Sequence, residues 1–488
     1  VYFYLSLPGT IEIRAKIPGR FPTMEIFKVN IKGLCYASSA EKIIFCMLIA
    51  LFLFNFTADR ALSSEKELLT VEKALILAEE NNPVISATKK KVAQSEERLK
   101  QAEASSYPSI VAKMAYQETG EEPRLPVFTE GRRRPIGYAQ DGFKETWQAA
   151  LEMTWLLYSG GAVKNNVQAK ELALGSVEAE ATRTYQSIRN GVYSAWHELQ
   201  RTRARLKVAE EALKLAETHL HEVNLLYENG LVAKNQVLRV QVEVSNSKLN
   251  LVKAVNAVDV AWSALERAVG TDLQMDYTLP ETRNSVDEFT IPSELRQLAM
   301  ENRPELLALE KSRKSALAMA RSAAGASRPQ VALKAETFEV DDEFFPDKED
   351  DWRVSISANW ELFDGGASRA RVEEAKAVAE EVLYRIEDLK KQINLEVSTA
   401  VLNLRSATQR VNLAKDQVKS AEEDYRIALK RYSAQVGTNI DVLDSRVALV
   451  NAKTQLANAV YDVYQARADL QYALGMDLYG GKNEGDTL

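Results

Sequence analysis

The chain is written twice. Trp155-Leu156-Leu157-Tyr158-Ser159-Gly160-Gly161 recurs as Trp360-Glu361-Leu362-Phe363-Asp364-Gly365-Gly366, 205 positions later. Val237-Leu238 recurs as Val442-Leu443, and Gly270-Thr271-Asp272-Leu273 as Gly475-Met476-Asp477-Leu478, at the same spacing. Upstream the spacing is 221: Asn82-Pro83 matches Arg303-Pro304, and Tyr107-Pro108 matches Arg328-Pro329. The step between the spacings is a 16-residue excess in one connection of the first copy. A duplication of this length limits the fold to two similar halves, and such chains build quasi-symmetric structures. A symmetric tube is the expectation, ahead of an enclosed active site.

Composition supports that reading. A net charge of -7 gives no reason to expect nucleic acid, and 27% charged with 46% hydrophobic residues does not describe a helical membrane bundle. The histidines, His197, His219 and His221, all fall in helix-patterned sequence, and the last two are too close in register to face each other. No metal cluster, nucleophile–base pair or phosphate loop is recognisable, so the expectation is a non-enzyme without metal or cofactor.

Both cysteines, Cys35 and Cys46, lie near the amino end. The apolar run 43–56 follows Lys42 and is too short for a comfortable membrane span, but it suits the core of a secretory signal. A cut near Ala58 or Ala61 removes every cysteine, as fits an oxidising compartment. Met24 is the expected start, so no structure is expected of residues 1–23. The expected layout is an extension and signal over 1–61, a first repeat over 65–273 and a linker over 274–292, followed by a second repeat over 293–478 and a flexible tail over 479–488.

Within each repeat the helical signal is long. Val192, Ala195, Leu199, Thr202, Leu206, Ala209, Leu213, Ala216, Leu220, Val223 and Tyr227 keep a 3-4 spacing, and adding 205 to each gives the same seam from Val397 to Tyr432. Heptads alone also allow a simple dimeric rod. Lengths favour a wall: a helix over 162–228 is about 100 Å long, and helices over 84–106 and 234–269 together nearly match it at about 90 Å. The second copy repeats this with 305–327, 367–431 and 439–474. The hairpins thus span 161–270 and 366–475.

Between short and long helix the period switches to two. Trp147, Ala149, Leu151, Met153 and Trp155 alternate with Gln148, Ala150, Glu152 and Thr154, and Trp352, Val354, Ile356, Ala358 and Trp360 repeat the pattern. The strands are expected at about 109–118, 146–156, 330–340 and 352–362. A soluble sandwich with a tryptophan-rich core accounts for any one strand. Tryptophans about 20 Å apart along a tilted strand, in both copies, look like the two aromatic girdles of an outer-membrane barrel. Four strands cannot close a barrel alone, whereas three chains would supply twelve. The strand-connecting loops differ in charge. The first, about 119–146, carries Arg132, Arg133 and Arg134; the second is acidic, with Asp350 and Asp351 at its end. These are either solvated loop charges or partners that narrow an outer mouth.

A signal, a duplicated helix–strand–strand–helix–helix unit and glycine-centred tips together resemble the TolC-like outer-membrane efflux proteins. The best local matches run from Tyr432 to Asp444 and from Tyr227 to Leu238, and the resemblance covers about residues 65 to 478. It implies a mainly α fold with a small β part: a trimer whose twelve-stranded transmembrane β-barrel in the outer-membrane lipid continues as a long periplasmic α-helical barrel. Implied partners are a periplasmic adaptor (membrane fusion) protein and an inner-membrane RND, ABC or MFS transporter, serving drug efflux, metal efflux or type I secretion. The alternative is a secreted periplasmic adaptor or structural coiled-coil protein without a pore.

Gly230 and Gly437 lie where long helix meets short, a place that favours left-handed backbone, and helix termination alone accounts for them. The resemblance adds adaptor docking, here at Gly230, Leu231 and Val232 with Val436, Gly437 and Thr438. Past the second tip, Asp441 and Asp444 share one helix face, where the first copy has Gln236 and Arg239. They are either acids favouring a helix N-terminus or, in a trimer, a ring of six carboxylates that binds cations at a gate. By resemblance Arg431, Tyr432 and Arg446 are the basic and tyrosine contacts of that gate.

Overall fold

The computed structural model describes residues 2–5, 10–14, 26–30, 67–121, 124–128, 130, 133–140, 144–273, 277–281, 294–341, 344 and 350–476. The apolar run 43–56, both cysteines, most of the 274–292 linker, the 479–488 tail and Arg132 lie outside them. The chain divides into two units, Val1–Glu67 and Leu68–Leu488. In the first, β1 (Tyr2–Leu5), β2 (Thr10–Arg14) and β3 (Ile26–Asn30) form an antiparallel sheet in that order, and its first two strands lie within residues 1–23, of which the sequence predicts no structure.

After β4 (Glu67–Leu68), α1 (Val71–Asn81) starts at Thr70, whose hydroxyl accepts from the Lys73 N–H. Pro83 ends α1 because it has no N–H to continue the ladder, and it opens α2 (Pro83–Ala104) at the one turn where that donor is not missed. Strand β5 (Ser109–Glu118) follows, then a small hairpin of β6 (Arg124–Val127) and β7 (Gly137–Gln140), then β8 (Glu145–Tyr158). The extra length of the first loop is therefore folded as a second hairpin.

The first helical hairpin is α3 (Ala162–Glu228) with α4 (Lys234–Val269). A two-residue strand, β9 (Tyr277–Thr278), precedes α5 (Leu295–Asn302), and α6 (Pro304–Gly325) opens on Pro304 as α2 does on Pro83. Strands β10 (Gln330–Asp341) and β11 (Asp350–Asn359) and the hairpin α7 (Ala367–Ser433) with α8 (Asn439–Ala473) complete the chain. Both long helices have 67 residues, about 100 Å. Among the described residues no helix is long and apolar enough to cross a membrane.

The repeat is visible in individual bonds. The Asn82 side chain donates to the Ala268 carbonyl at 2.7 Å, and its counterpart Arg303 donates from Nε to the Ala473 carbonyl at 2.7 Å. Each ties the start of a short helix to the end of the returning one. There Gly270 and Gly475 turn with φ of 88° and 71°. A Cβ at either would lie within 2.8 Å of the Asn81 or Asn302 carbonyl oxygen, so these glycines answer both a backbone and a space requirement.

Helix α3 packs against α2 and α4, while α6 and α8 pack against both α3 and α7. Two short helices placed end to end thus occupy the groove between the long ones. The seam is buried most completely in the second copy, through Val397, Ala400, Leu404, Ala407, Val411 and Ala414. Outer faces are left bare: Val242, Leu249, Val252 and Val260 of α4, and Leu395, Leu402 and Leu413 of α7, are exposed.

The main sheet is antiparallel in the order β5–β8–β10–β11, so its central pair joins the two halves. The ladder of β10 with β11 ends at Gln330 and Asn359, because the next residue, Pro329, has no N–H. Trp360 therefore stands just past β11, whereas the alternation predicts a strand to 362. Among the described residues, strands β5 and β11 each leave one edge unpaired over ten residues.

Candidate functional site

The tips of the two hairpins meet in one small core built from all four helices: Val223, Val237, Val240, Ala428, Tyr432 and Val442. The turns are repeat equivalents. After α3, Gly230 adopts φ 71°, and the Leu231 N–H returns to the Leu226 carbonyl at 2.9 Å. After α7 the left-handed residue is Gln435, φ 64°, and the Val436 N–H returns to the Arg431 carbonyl at 2.9 Å. The sequence predicts Gly437 as the left-handed residue of this turn; the fold corrects that, since Gln435 is the 205-residue counterpart of Gly230. Gly437 serves close approach instead. A Cβ there would stand 3.0 Å from Cβ of Arg431 and 3.1 Å from the Tyr432 nitrogen.

Thr438 and Asp441 form a capping box on α8: the Thr438 hydroxyl accepts from the Asp441 N–H at 3.2 Å, and the Asp441 carboxylate accepts from the Thr438 N–H at 3.0 Å. Those bonds, with Arg431 nearby, hold the Asp441 carboxyl below the usual aspartate range. Asp444 is exposed one turn further on. Tyr432 and Arg446 lie inward. The Tyr432 hydroxyl donates to Oε1 of Gln236 at 3.1 Å, and burial pushes that hydroxyl's pKa up. Arg446, with its side chain 2% exposed, pairs with Glu243 of α4 and donates to the Ala212 carbonyl of α3 at 3.5 Å.

The predicted gate residues thus sort into two groups. Asp441 and Asp444 face solvent, whereas Tyr432 and Arg446 clamp hairpin to hairpin. Sequence reasoning missed the clamp's partners. His219 of α3 shares a 2.8 Å hydrogen bond with Oδ1 of Asn439, and its ring meets that of Tyr432 edge-on. Gln236 stands at the position of Asp441 in the other copy, and that mismatch was the readable signal. Of the predicted docking residues, Leu231, Val436 and Thr438 are exposed, and Val232 packs against the tip core.

At the other end, the sheet separates its faces. Ile110, Met114, Leu151, Trp155, Val354 and Ile356 form one bare apolar side, with Trp352 73% exposed. The opposite side carries Lys113, Glu152, Lys334, Glu336 and Arg353. Trp147 packs against Tyr116 and Phe344, each at 4.6 Å between ring centroids. Arg133 and Arg134 sit in the turn of the β6–β7 hairpin, and among the described residues neither makes an ion pair. Asp351 lies within β11 opposite Phe338, and the Asp350 backbone pairs with Glu339, so the acids begin a strand.

The sequence profile described as outer membrane efflux protein matches residues 74–271 and 295–476, one match on each repeat. The chain belongs to the outer membrane efflux protein family. Within that family it is 22% identical over 315 residues to the toluene efflux pump outer membrane protein TtgC of Pseudomonas putida, covering 64% of this chain and 65% of that one. It is 21% identical over 425 residues to the outer membrane efflux protein BepC of Brucella suis, covering 83% and 85% of the two chains. The fold matches the solved structure of the outer membrane protein VceC from Vibrio cholerae with a TM-score of 0.68 at 20% identity, over 84% of this chain and 97% of VceC. The matched segment spans about two thirds of TtgC. This efflux-family chain therefore has the family's combination of long helical hairpins and a small strand sheet.

Proposed function

We propose that three copies of this chain form an outer-membrane channel, the exit duct of a tripartite efflux pump or type I secretion system. The observation that carries the reading is the four-stranded sheet. It has one bare apolar face, one charged face and two unpaired edges of ten residues each. Unpaired edges in lipid are not tolerated, so the sheet must close, and three copies give a twelve-stranded barrel. The bare rows on α4 and α7 call for the same closure along the helical wall.

Trp155, Trp352 and Trp360 are exposed and Trp147 is half-buried, and together they act as the interfacial aromatic belts. Asp441 and Asp444, three times over, ring the periplasmic entrance, and the Tyr432–Gln236 and Arg446–Glu243 contacts hold it narrow. The tips from Gly230 to Val232 and from Val436 to Thr438 receive the periplasmic adaptor, through which an inner-membrane RND, ABC or MFS transporter delivers cargo. Arg133, Arg134 and the acids near Asp351 lie at the outer mouth.

Purified protein in planar bilayers tests the proposal, together with detergent gels of outer membranes. The expected result is discrete single-channel conductance from a heat-resistant trimer. A monomer that never conducts would overturn it.

A further inference from the structure

The junction between the two halves has a counterpart that one molecule leaves open. Inside the chain, α3 of the first half packs against α8 of the second. Adding 205 to the α3 positions and subtracting 205 from the α8 positions carries that junction to α7 and α4, the two helices with bare outer rows. Val460 of α8 is 1% exposed, whereas its counterpart Val255 of α4 is 45% exposed. What α3 gives to α8 within one molecule, α7 has to give to α4 of another.

Charges at the junction follow the same operation. Lys453 of α8 lies 3.2 Å from Glu211 of α3 and 3.5 Å from Glu422 of α7. Its counterpart Lys248 keeps the second of these pairs, with Glu217 at 3.5 Å, and lacks the first. The counterpart of Glu211 is Asp416, exposed on α7. Nearer the tips, the buried bond of His219 with Asn439 maps onto Asp424 of α7 and Lys234 of α4, both exposed. Among the described residues Asp416, Asp424 and Lys234 have no ion-pair partner, although Lys415 and Lys419 flank Asp416. One pair goes against the pattern: Arg205 with Asn458 maps onto Arg410 with Lys253. Arg410 is engaged by Asp462 of its own chain at 3.2 Å.

We propose that Asp416 and Asp424 on α7 pair with Lys248 and Lys234 on α4 of the adjacent copy, so that each chain recognises a second copy of itself edge to edge. This rests on the threefold channel reading. The contact is heterologous, with one edge meeting a different edge, and it closes into a ring when the rotation between copies allows. Exposed ion pairs add little stability. Opposite charges along the two edges instead fix the neighbour and its register, and reject surfaces of the wrong sign.

Carbodiimide coupling of the detergent-purified protein tests the pairing, because it joins a carboxylate to an amine where the two touch. The expected junctions, read by peptide mapping of covalent dimers and trimers, are Asp416 to Lys248 and Asp424 to Lys234. Coupling of Lys248 to Glu217 inside one chain shows that the reagent reaches the site. Lys234→Arg with Lys248→Arg keeps the charges, leaves heat-resistant trimers and loses both junctions. Heat-resistant trimers in which Lys248 couples to Glu217 alone, and Lys234 to no acid of another copy, would overturn the pairing. Absence of any heat-resistant trimer or of conductance from the unmodified protein would instead sink the channel reading itself.

Discussion

The indole N–H of Trp155 donates to the Ser106 carbonyl at 3.0 Å, and Trp360 makes the same bond to Ser327 at 3.1 Å. Each serine lies just past the end of a short helix, α2 or α6, so each indole fastens a returning strand to the point where helix gives way to sheet. Replacing both tryptophans by phenylalanine keeps the ring and removes two bonds, at a cost of about 1 kcal/mol for each. The temperature at which the proposed trimer dissociates in detergent should fall. Trp352→Phe, at a ring 73% exposed against 38% for Trp155 and 59% for Trp360, should leave it nearly unchanged; an equal fall there would mean that the bonds are not the cause.

The two tips call for opposite substitutions. Gln435 holds a left-handed conformation that costs an ordinary residue about 1–2 kcal/mol, so Gln435→Gly should slow hydrogen exchange in the second tip. Gly230→Ala meets no atom within 4 Å yet forces the same conformation on alanine, and should speed exchange in the first tip. Gly437→Val should leave the proposed trimers intact but stop efflux, since its side chain would press on Arg431 and Tyr432 at the proposed docking surface. Normal efflux in that variant would contradict the assigned role.

Asp441 ties acidity to the cap of α8. Its folded carboxyl is held below the ordinary aspartate value by the bonds to Thr438, so it binds fewer protons folded than unfolded. The stabilisation is therefore complete above about pH 3.9 and fades as the pH falls toward the folded value. Exchange protection at the amino end of α8 should hold from neutrality to about pH 5 and decline only in stronger acid. In the same region, block of the channel by a trivalent cation added from the tip side should be lost in Asp441→Asn/Asp444→Asn. Persistence of the block would mean that the pair only caps a helix.

The hairpin clamp gives a further test. Tyr432→Phe removes the bond to Gln236 and should raise the fraction of time that single channels spend open. Arg446→Ala should raise it more, because it removes an almost fully enclosed arginine that joins Glu243 of α4 and the Ala212 carbonyl of α3. If open probability stays unchanged in both, the clamp is structural glue and the entrance is controlled elsewhere.

The long elements were legible because each is encoded many times over. Both 67-residue helices carry heptads along much of their length, and the strands alternate through several pairs. Single-residue decisions were not. Pro83 and Pro304 were visible, but the short helices α1 and α5 before them lack a long period and went unread. Gly437 looked like the second turn's flexible residue only because glycine is the usual occupant, and Gln435 shows that the repeat spacing was the better guide. The pairing of Glu152 with Glu336 could not be foreseen, since it depends on which strands become neighbours across the duplication. Arg446 was marked as a gate contact only by the resemblance, because its partners, Glu243 and the Ala212 carbonyl, belong to the other hairpin and leave no signal in the sequence around it.

Gly160 and Gly365 are counterparts with φ of 62° and 66°, yet a Cβ at Gly160 would lie 2.4 Å from the Gly325 carbonyl oxygen while one at Gly365 would meet nothing within 4 Å. The second half lacks, inside its own chain, the neighbour that the first half has. Under the proposed threefold closure that neighbour is the end of α2 in the adjacent copy, where Ala104 stands at the position of Gly325. A position that looks permissive in one molecule is then crowded in the ring. Mixed trimers carrying a bulky residue at Gly365 in only some copies should assemble poorly. A damaged allele would poison its healthy siblings, and selection on this gene would act on the company each chain keeps.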